Sequence, residues 1–353
     1  MKRIGYLYEK LADKKQIKTS ILACAQHKMD REEVRVVMAN PDFYVDQLYQ
    51  MMAEGTYEPA KPRHKKIWDK CSGKERIISI IPFFPDACVQ RLVVDVMNPI
   101  LFRGMYPHSC ASIPGRGNAH AAKYVKHALR NVKGSKYCAK LDIRHYYPSI
   151  RADLVITKLR RKIKDERFLD LVYRIITCDG EGKGLDIGFY INQWLANYLL
   201  EELDWKIASA DRVLYYVRNM DDMVLIGPNK RKLRQAVDMV MEELGKMGMT
   251  LKPNYQVFQV DSRGIDFVGY RFFHGKTILR KRNSLRLMRR IRRIRKKEAC
   301  GAAIPFEMAA GVLSMIGQLK HCDSCRFRNK YITGLNVGKL KRIVRNGKLN
   351  RCA

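Results

Sequence analysis

Apolar residues fall along this chain either in short continuous runs or at helical spacing, and the switches between the two mark its elements. From Val213 to Val217 (VLYYV) and from Met223 to Ile226 (MVLI), β-branched and aromatic residues form two short runs. The two are separated by Arg218–Asp222 and stopped by Gly227 and Pro228, which predicts a β-hairpin with Asp221 and Asp222 at its tip. A further apolar strand from Tyr137 ends on Asp142 and is followed by the aromatic pair Tyr146 and Tyr147. Helical spacing appears at Val89, Leu92, Val93, Val96 and Met97 within Asp86–Arg103, and at Trp194, Leu195, Tyr198, Leu199 and Leu200. It returns at Leu233, Val237, Val240 and Leu244 within Lys230–Gly248, and another helix starts near Asn118. Short strands are expected between Thr250 and Phe273. Beyond Ile278 one helix buries Leu287, Ile291 and Ile294, and a second, after Pro305, keeps Met308, Val312, Ile316 and Leu319 in step. Residues 1–60 read as largely helical, closed by the turn residues Gly55–Pro59. The stretch PRHKKIWDKCSGKERIISIIPFF then predicts a hairpin with Ser72 and Gly73 at its turn and Arg76–Ile81 as the return strand.

Composition decides the partner class before any reaction is named. In 353 residues, 68 Lys and Arg against 35 Asp and Glu leave a net charge of +33. Such an excess opposes the compact state unless a polyanion neutralises it, so nucleic acid is the leading partner. Ribosomal, histone-like and membrane-surface proteins carry similar charge, and charge alone does not name a reaction. A hydrophobic content of 46% is enough for a large core, in one multi-lobed enzyme or two to three small domains. The ten cysteines lack framework spacing, the amino terminus lacks the apolar run of a signal peptide, and no stretch approaches the ~20 apolar residues of a membrane span. A reduced, cytoplasmic location away from membranes is expected. Cys322 and Cys325, in HCDSC, have metal spacing with His321, Cys300 and Cys352 as companions, but a lone CxxC is a weak signal that a buried helix end also explains.

The chemistry is carried by the acids at the strand ends. An ionised carboxylate at the end of a buried hairpin is costly unless it is paired or metal-bound, so Asp221 and Asp222 invite a divalent cation. Asn and Asp also favour turns for local reasons. With Asp142, three acids on two strand ends can make one site. Two hard cations about 4 Å apart, held by carboxylates, clamp the attacking and leaving oxygens of a phosphoryl or nucleotidyl transfer without Cys or His. Upstream, Lys65, Lys66, Lys70, Lys74 and Arg76 on alternating faces of the basic hairpin could grip a triphosphate, or could simply solvate a strand edge. The turn Gly115–Arg116–Gly117 before a helix offers backbone donors to phosphate. Glycines 182, 184 and 188 let backbone approach a nucleotide, and Asn192, Gln193 and Asn197 follow on a helix that could otherwise be merely amphipathic.

Taken in order, these motifs closely resemble a reverse transcriptase. KERIISIIPF is similar to the second fingers motif, the Asp142 strand to motif A, LDIGFYINQ to the IGxxxSQ form of motif B found in diversity-generating retroelements, NMDD to YxDD, and FVGYRFF to the primer grip. The sequence departs from the family at Asn219 in place of Tyr, Asn192 in place of Ser and Asp186 in place of Pro. The resemblance, from about Gly55 onward, implies an α+β right-hand polymerase: an N-terminal helical segment at 1–54, fingers and an antiparallel-sheet palm at 55–277, and a basic helical thumb and tail at 278–353. It implies RNA-directed DNA synthesis, with an RNA template, a DNA primer or cDNA, and dNTPs as partners and a small basic accessory protein as a candidate. Catalysis falls to Asp142, Asp221 and Asp222, and Asp142, Ile143, Asp221 and Asp222 hold two Mg2+ ions, for which Mn2+ can substitute. Lys66, Lys74 and Arg76 meet the nucleotide, with Arg76 on the triphosphate and Tyr147 excluding the ribose 2′-hydroxyl. Ile187, Gly188 and Gln193 also line that site, and Lys252 gives a proton to pyrophosphate. Asn219, Met220, Phe267, Gly269, Tyr270, Arg289 and Arg293 contact primer or template. Ile187 stands where accurate enzymes commonly place a Gln, which implies errors, chiefly at template adenines. A phage-defence reverse transcriptase and a catalytically inactive RNA-binding protein are the alternatives.

Overall fold

A computed structural model of the protein describes residues 3–69, 73–180, 182 and 184–352. The expected turn residue Ser72, Lys70 among the expected hairpin cations and the side chain of Lys74 lie outside what is described. The chain forms two compact units, each discontinuous in sequence. The first comprises Met1–Ile113, Asp142–Ile207 and Met239–Pro253, and the second Pro114–Leu141, Ala208–Asp238 and Asn254–Ala353.

The first unit opens with helices Lys14–Ala25, Glu32–Ala39 and Pro41–Glu54. Asp13 caps the first of them by accepting from the Lys15 and Gln16 amides, and Gly55, in the left-handed region at φ 75°, ends the third. Strands β1 (Arg63–Asp69) and β2 (Lys74–Ile80) form the basic hairpin. Helix Cys88–Phe102 follows, and Val89, Leu92, Val93 and Met97 are buried on it as the spacing predicts. Asp86 lies in the helical turn Phe83–Ala87 that runs directly into that helix, and its buried carboxylate accepts from the Tyr57 hydroxyl and the Ala60 amide, each at 2.9 Å. Helices Ala152–Arg160, Glu166–Thr177, Tyr190–Leu199 and Glu201–Ala208 follow. Trp194, Leu195 and Tyr198 join the core, where each large side chain contributes ~1.5–3 kcal/mol of transfer free energy.

The second unit is built on a four-stranded sheet. Its strands are β3 (Tyr137–Asp142), β4 (Tyr215–Asn219), β5 (Asp222–Gly227) and β6 (Gln256–Gln259), in the order β4-β5-β3-β6. The pairs β4/β5 and β3/β6 are antiparallel. The meander β7 (Ile265–Phe267), β8 (Tyr270–Phe273) and β9 (Lys276–Leu279) makes a three-stranded antiparallel sheet. Helix Asn118–Arg130 starts at the expected place and buries Ala121, Val125 and Leu129. At the C-terminal end helix Lys281–Ala299 buries Leu287, Ile291 and Ile294, the three residues its periodicity picks out. Helix Phe306–Gln318 buries Ala309, Val312 and Met315, so its face is turned by one position from the expected Met308 and Ile316. Long helices thus stand beside separate antiparallel sheets, an α+β architecture. Among the described residues no helix is long and apolar enough to cross a membrane.

Candidate active site

The acid hairpin is tighter than its composition suggests. Register pairs Tyr215 with Ile226 and Asn219 with Asp222, which leaves only Met220 and Asp221 to turn the chain. Arg218 and Asn219 therefore belong to β4 and not to the turn, while Val213 and Leu214 precede the strand. A two-residue hairpin turn needs positive φ at its first central position, and Met220 supplies it at φ 61°. That is an unfavoured conformation for a side chain of this size, and costs on the order of 1–3 kcal/mol. Arg218 supports it. Its side chain is fully buried, and its guanidinium donates to the Met220 carbonyl at 2.9 Å. Asn219, Met220, Asp221 and Asp222 are half-buried, so the carboxylates stand at the edge of the core rather than within it.

Two lysines pair with the catalytic candidates. In the second unit, Lys140 of β3 forms an ion pair with Asp222 of β5, and its ammonium also lies 5.5 Å above the Phe267 ring. In the first unit, Lys252 forms an ion pair with Asp142, and its amide donates to the Asp142 carbonyl at 2.8 Å. Residues beside them continue this ladder, with Ile143 bridged to Leu251 and the Arg144 amide on the Thr250 carbonyl at 2.8 Å. Lys140 and Asp142 are two residues apart on one strand and so share a face.

The glycine-rich loop is held on two sides within the first unit. The Gly184 amide donates to Ile150 at 3.0 Å and the Leu185 amide to Tyr147 at 2.9 Å. The Ser79 amide of β2 donates to the Ile187 carbonyl at 2.8 Å. Gly188 has φ 128°, and a Cβ there would lie 2.3 Å from the Ser79 carbonyl oxygen, so only glycine fits.

A family model described as reverse transcriptase (RNA-dependent DNA polymerase) matches residues 62–272, more than half of the chain. The chain belongs to the reverse transcriptase family. It is 28% identical to Protein YkfC of Escherichia coli (strain K12) over 163 residues, 43% of this chain and 42% of that protein. It is 24% identical to the retron Ec73 reverse transcriptase of Escherichia coli over 214 residues, 57% of this chain and 65% of that one. The chain thus spans less than two thirds of these relatives' own lengths. A solved telomerase of Candida tropicalis, in complex with the TWJ fragment of telomeric RNA, shares the fold at TM-score 0.51 and 12% identity over 84% of this chain and 59% of that one.

Several residues expected at the reverse transcriptase site are placed differently. Lys65 and Arg76 share one face of the basic hairpin, through the pairs Lys65 with Ile78 and Ile67 with Arg76, whereas Lys66 is on the other face, paired with Ile77. Asn192 and Asn197 turn inward: Asn192 donates to the Asp186 carbonyl at 3.1 Å and Asn197 to the Ala111 carbonyl at 2.8 Å. Gln193 and Ile187 are half-exposed, Gly188 is exposed, and Tyr147 is half-buried. Phe267 and Tyr270 are buried, and the Tyr270 hydroxyl donates to the Gln318 carbonyl at 3.1 Å, so their side chains seat the FVGY hairpin. What remains half-exposed for a primer is the turn at Val268 and Gly269, both at positive φ. On helix Lys281–Ala299, Arg289, Arg292, Arg293 and Arg295 are exposed, and Arg295 donates to the Tyr331 and Thr333 carbonyls at 3.2 and 3.0 Å. Sequence reasoning passed over Lys140 and Arg218. The spacing Lys140–Leu141–Asp142 was the available signal for the first; nothing local marks the second.

Proposed function

We propose that this protein is an RNA-directed DNA polymerase that copies an RNA template from a DNA primer, in which Asp142, Asp221 and Asp222 carry a two-metal nucleotidyl transfer. The observation that carries the reading is the pair Asp221–Asp222 at a two-residue turn of β4/β5 that the buried Arg218 braces through the Met220 carbonyl. The side-chain donors are carboxylates alone, joined by the Ile143 carbonyl, and two of the carboxylates are half-buried on a braced turn, which suits hard oxygen-seeking cations such as Mg2+, with Mn2+ as a substitute. Asp142, Ile143, Asp221 and Asp222 would hold these ions, which supply charge neutralisation for the attacking 3′-oxygen and the leaving pyrophosphate. Arg76 would bind the triphosphate together with Lys65, which shares its face of the basic hairpin, and Lys66 and Lys74 would add further positive charge. Tyr147 would check the sugar, Gly188 and Gln193 the nucleotide, and Lys252 would protonate pyrophosphate. Residues 55–277 serve as fingers and palm and 278–353 as thumb, where Arg289 and Arg293 meet the duplex beside Asn219, Met220 and Gly269.

Purified protein given an RNA template, an annealed DNA primer, Mg2+ and dNTPs should yield extended DNA, and the Asp221→Asn, Asp222→Asn double variant should not. Equal extension by both would remove the carboxylates from the chemistry. Within this reading the half-exposed aliphatic Ile187 favours error-prone synthesis of the retroelement kind, because it offers no hydrogen bond with which to reject a wrong nucleotide. Ile187→Gln should lower the error frequency opposite template adenines while extension continues; an unchanged error spectrum, read by sequencing the products, would dismiss the residue.

A further inference from the structure

His64, Asp179 and Asp186 reach one another from three segments of the first unit: β1, the turn after the Glu166–Thr177 helix, and the glycine-rich loop. One ligand atom from each lies within 4.8 Å of the others, and among the described residues no other three His, Cys, Asp or Glu side chains meet in this way. His321, Cys322 and Cys325 do not gather such a set. The hydrogen bonds around the cluster pose a question of charge. The Ser79 hydroxyl donates to Asp186 at 2.5 Å and faces His64 Nδ1 at 3.3 Å, while His64 Nε2 faces an Asp179 oxygen at 3.0 Å. A serine has one proton. With that proton on Asp186, Ser79 Oγ must accept from Nδ1–H, and the neutral imidazole then turns its Nε2 lone pair toward a carboxylate. Two acceptors at 3.0 Å repel unless a positive charge is shared between them.

We propose that His64 Nε2, Asp179 and Asp186 form a divalent transition-metal site of the zinc class, distinct from the carboxylates assigned to nucleotidyl transfer. Ions of this class take imidazole nitrogen and carboxylate oxygen as ligands, and three protein ligands would leave a fourth position to water. Bonds of ~2.0–2.2 Å in a tetrahedron separate ligand atoms by ~3.3 Å, so the present spacing needs only a small rearrangement to receive the ion. Ser79 completes the arrangement from outside: it fixes the tautomer by accepting from Nδ1–H and orients Asp186 by donating to it. The consequence is mechanical as well as chemical. Asp186 adjoins Ile187, whose carbonyl already accepts from the Ser79 amide, so an ion here would fasten the basic hairpin to the loop that carries Ile187 and Gly188.

The test uses Co2+ as a spectroscopic probe on the full chain, with excess Mg2+ present to occupy the other carboxylates. The wild type should bind one Co2+ with weak visible d–d bands and no near-ultraviolet thiolate charge-transfer band, and Zn2+ should displace it. His64→Gln and Asp179→Asn, both at solvent-accessible positions, should each weaken binding by ~100-fold or more, beyond the ~10–100-fold typical of losing an outer-shell partner. Their circular dichroism should stay that of the wild type. Zn2+ should also slow amide exchange across β2 in the wild type and not in the variants. The inference fails if both variants bind Co2+ as the wild type does, if a thiolate band shows the ion on cysteines, or if no Co2+ binds above the Mg2+ background, which would leave a proton as the cluster's counter-charge. None of these outcomes depends on polymerase activity.

Discussion

Replacing Gly188 with Ala should loosen the basic hairpin from the glycine-rich loop, and the size of the effect follows from three costs. A side chain at φ 128° occupies a backbone region that is essentially glycine's alone, which costs ~1–3 kcal/mol. The new Cβ would lie 2.3 Å from the Ser79 carbonyl oxygen and 3.3 Å from its carbonyl carbon, against backbone that has no flexible end to yield. The strand must retreat by about 1 Å, and overpacking of this kind costs ~1–3 kcal/mol. That retreat breaks the 2.8 Å bond from the Ser79 amide to the Ile187 carbonyl, for a further ~1 kcal/mol. Since retreat relieves part of the clash, the net effect is about 3–4 kcal/mol, confined to this junction. Hydrogen exchange at the Ser79 amide should therefore accelerate by ~10²–10³-fold, at 1.36 kcal/mol per factor of ten, while the helices of the first unit exchange as before. Primer-extension assays should show a raised KM for dNTP, because Arg76 and Lys65 ride on the displaced hairpin. Ser79 protection and KM both equal to the wild type would mean that the close approach of β2 to Gly188 does not hold the hairpin in place.

Lys140→Met should keep an aliphatic side chain against Phe267 but leave Asp222 without its ammonium partner. Losing a hydrogen bond to a charged group is worth ~1.5–3 kcal/mol, so kcat should fall by ~10–100-fold with little change in KM for dNTP, and Lys140→Arg should restore part of it in steady-state extension assays. Replacing Arg289, Arg292 and Arg293 with Gln should weaken RNA–DNA hybrid binding at every sequence and flatten the plot of log affinity against log salt by ~0.9 for each phosphate that the helix no longer neutralises. The buried Leu287, Ile291 and Ile294 are untouched, so the fold should persist, and an unchanged salt slope would count against this helix as the duplex-binding element.

What could be read in the sequence was local in its physics. The acids were legible because they sit between two short, continuous runs of β-branched and aromatic residues that Gly227–Pro228 must stop, facts that hold locally whatever the rest of the chain does. The three buried aliphatics of helix Lys281–Ala299 were legible because arginines fill every other side of it. The apolar positions of helix Tyr190–Leu199 were legible too, but the roles of its polar residues were not, because it is buried nearly all round: every residue from Ile191 to Leu199 except Gln193 is shielded. A polar residue on such a helix has no preferred face to report, and Asn192 and Asn197 satisfy backbone carbonyls instead of a ligand. The largest omissions, Lys140 and His64, share one cause. Lys140 finds Asp222 because β5 is the neighbour of β3, a pairing across about eighty residues of sequence, and His64 finds Asp179 and Asp186 across more than a hundred. Local pattern fixes which face of a strand a residue occupies; it does not fix which strand or loop comes to lie opposite. That explains why the departures from the family's motifs carried little meaning in isolation. Asp186, read along the chain, is a proline missing from a motif, whereas across the fold it is the partner of a serine and the third member of a cluster closed by a histidine from another strand.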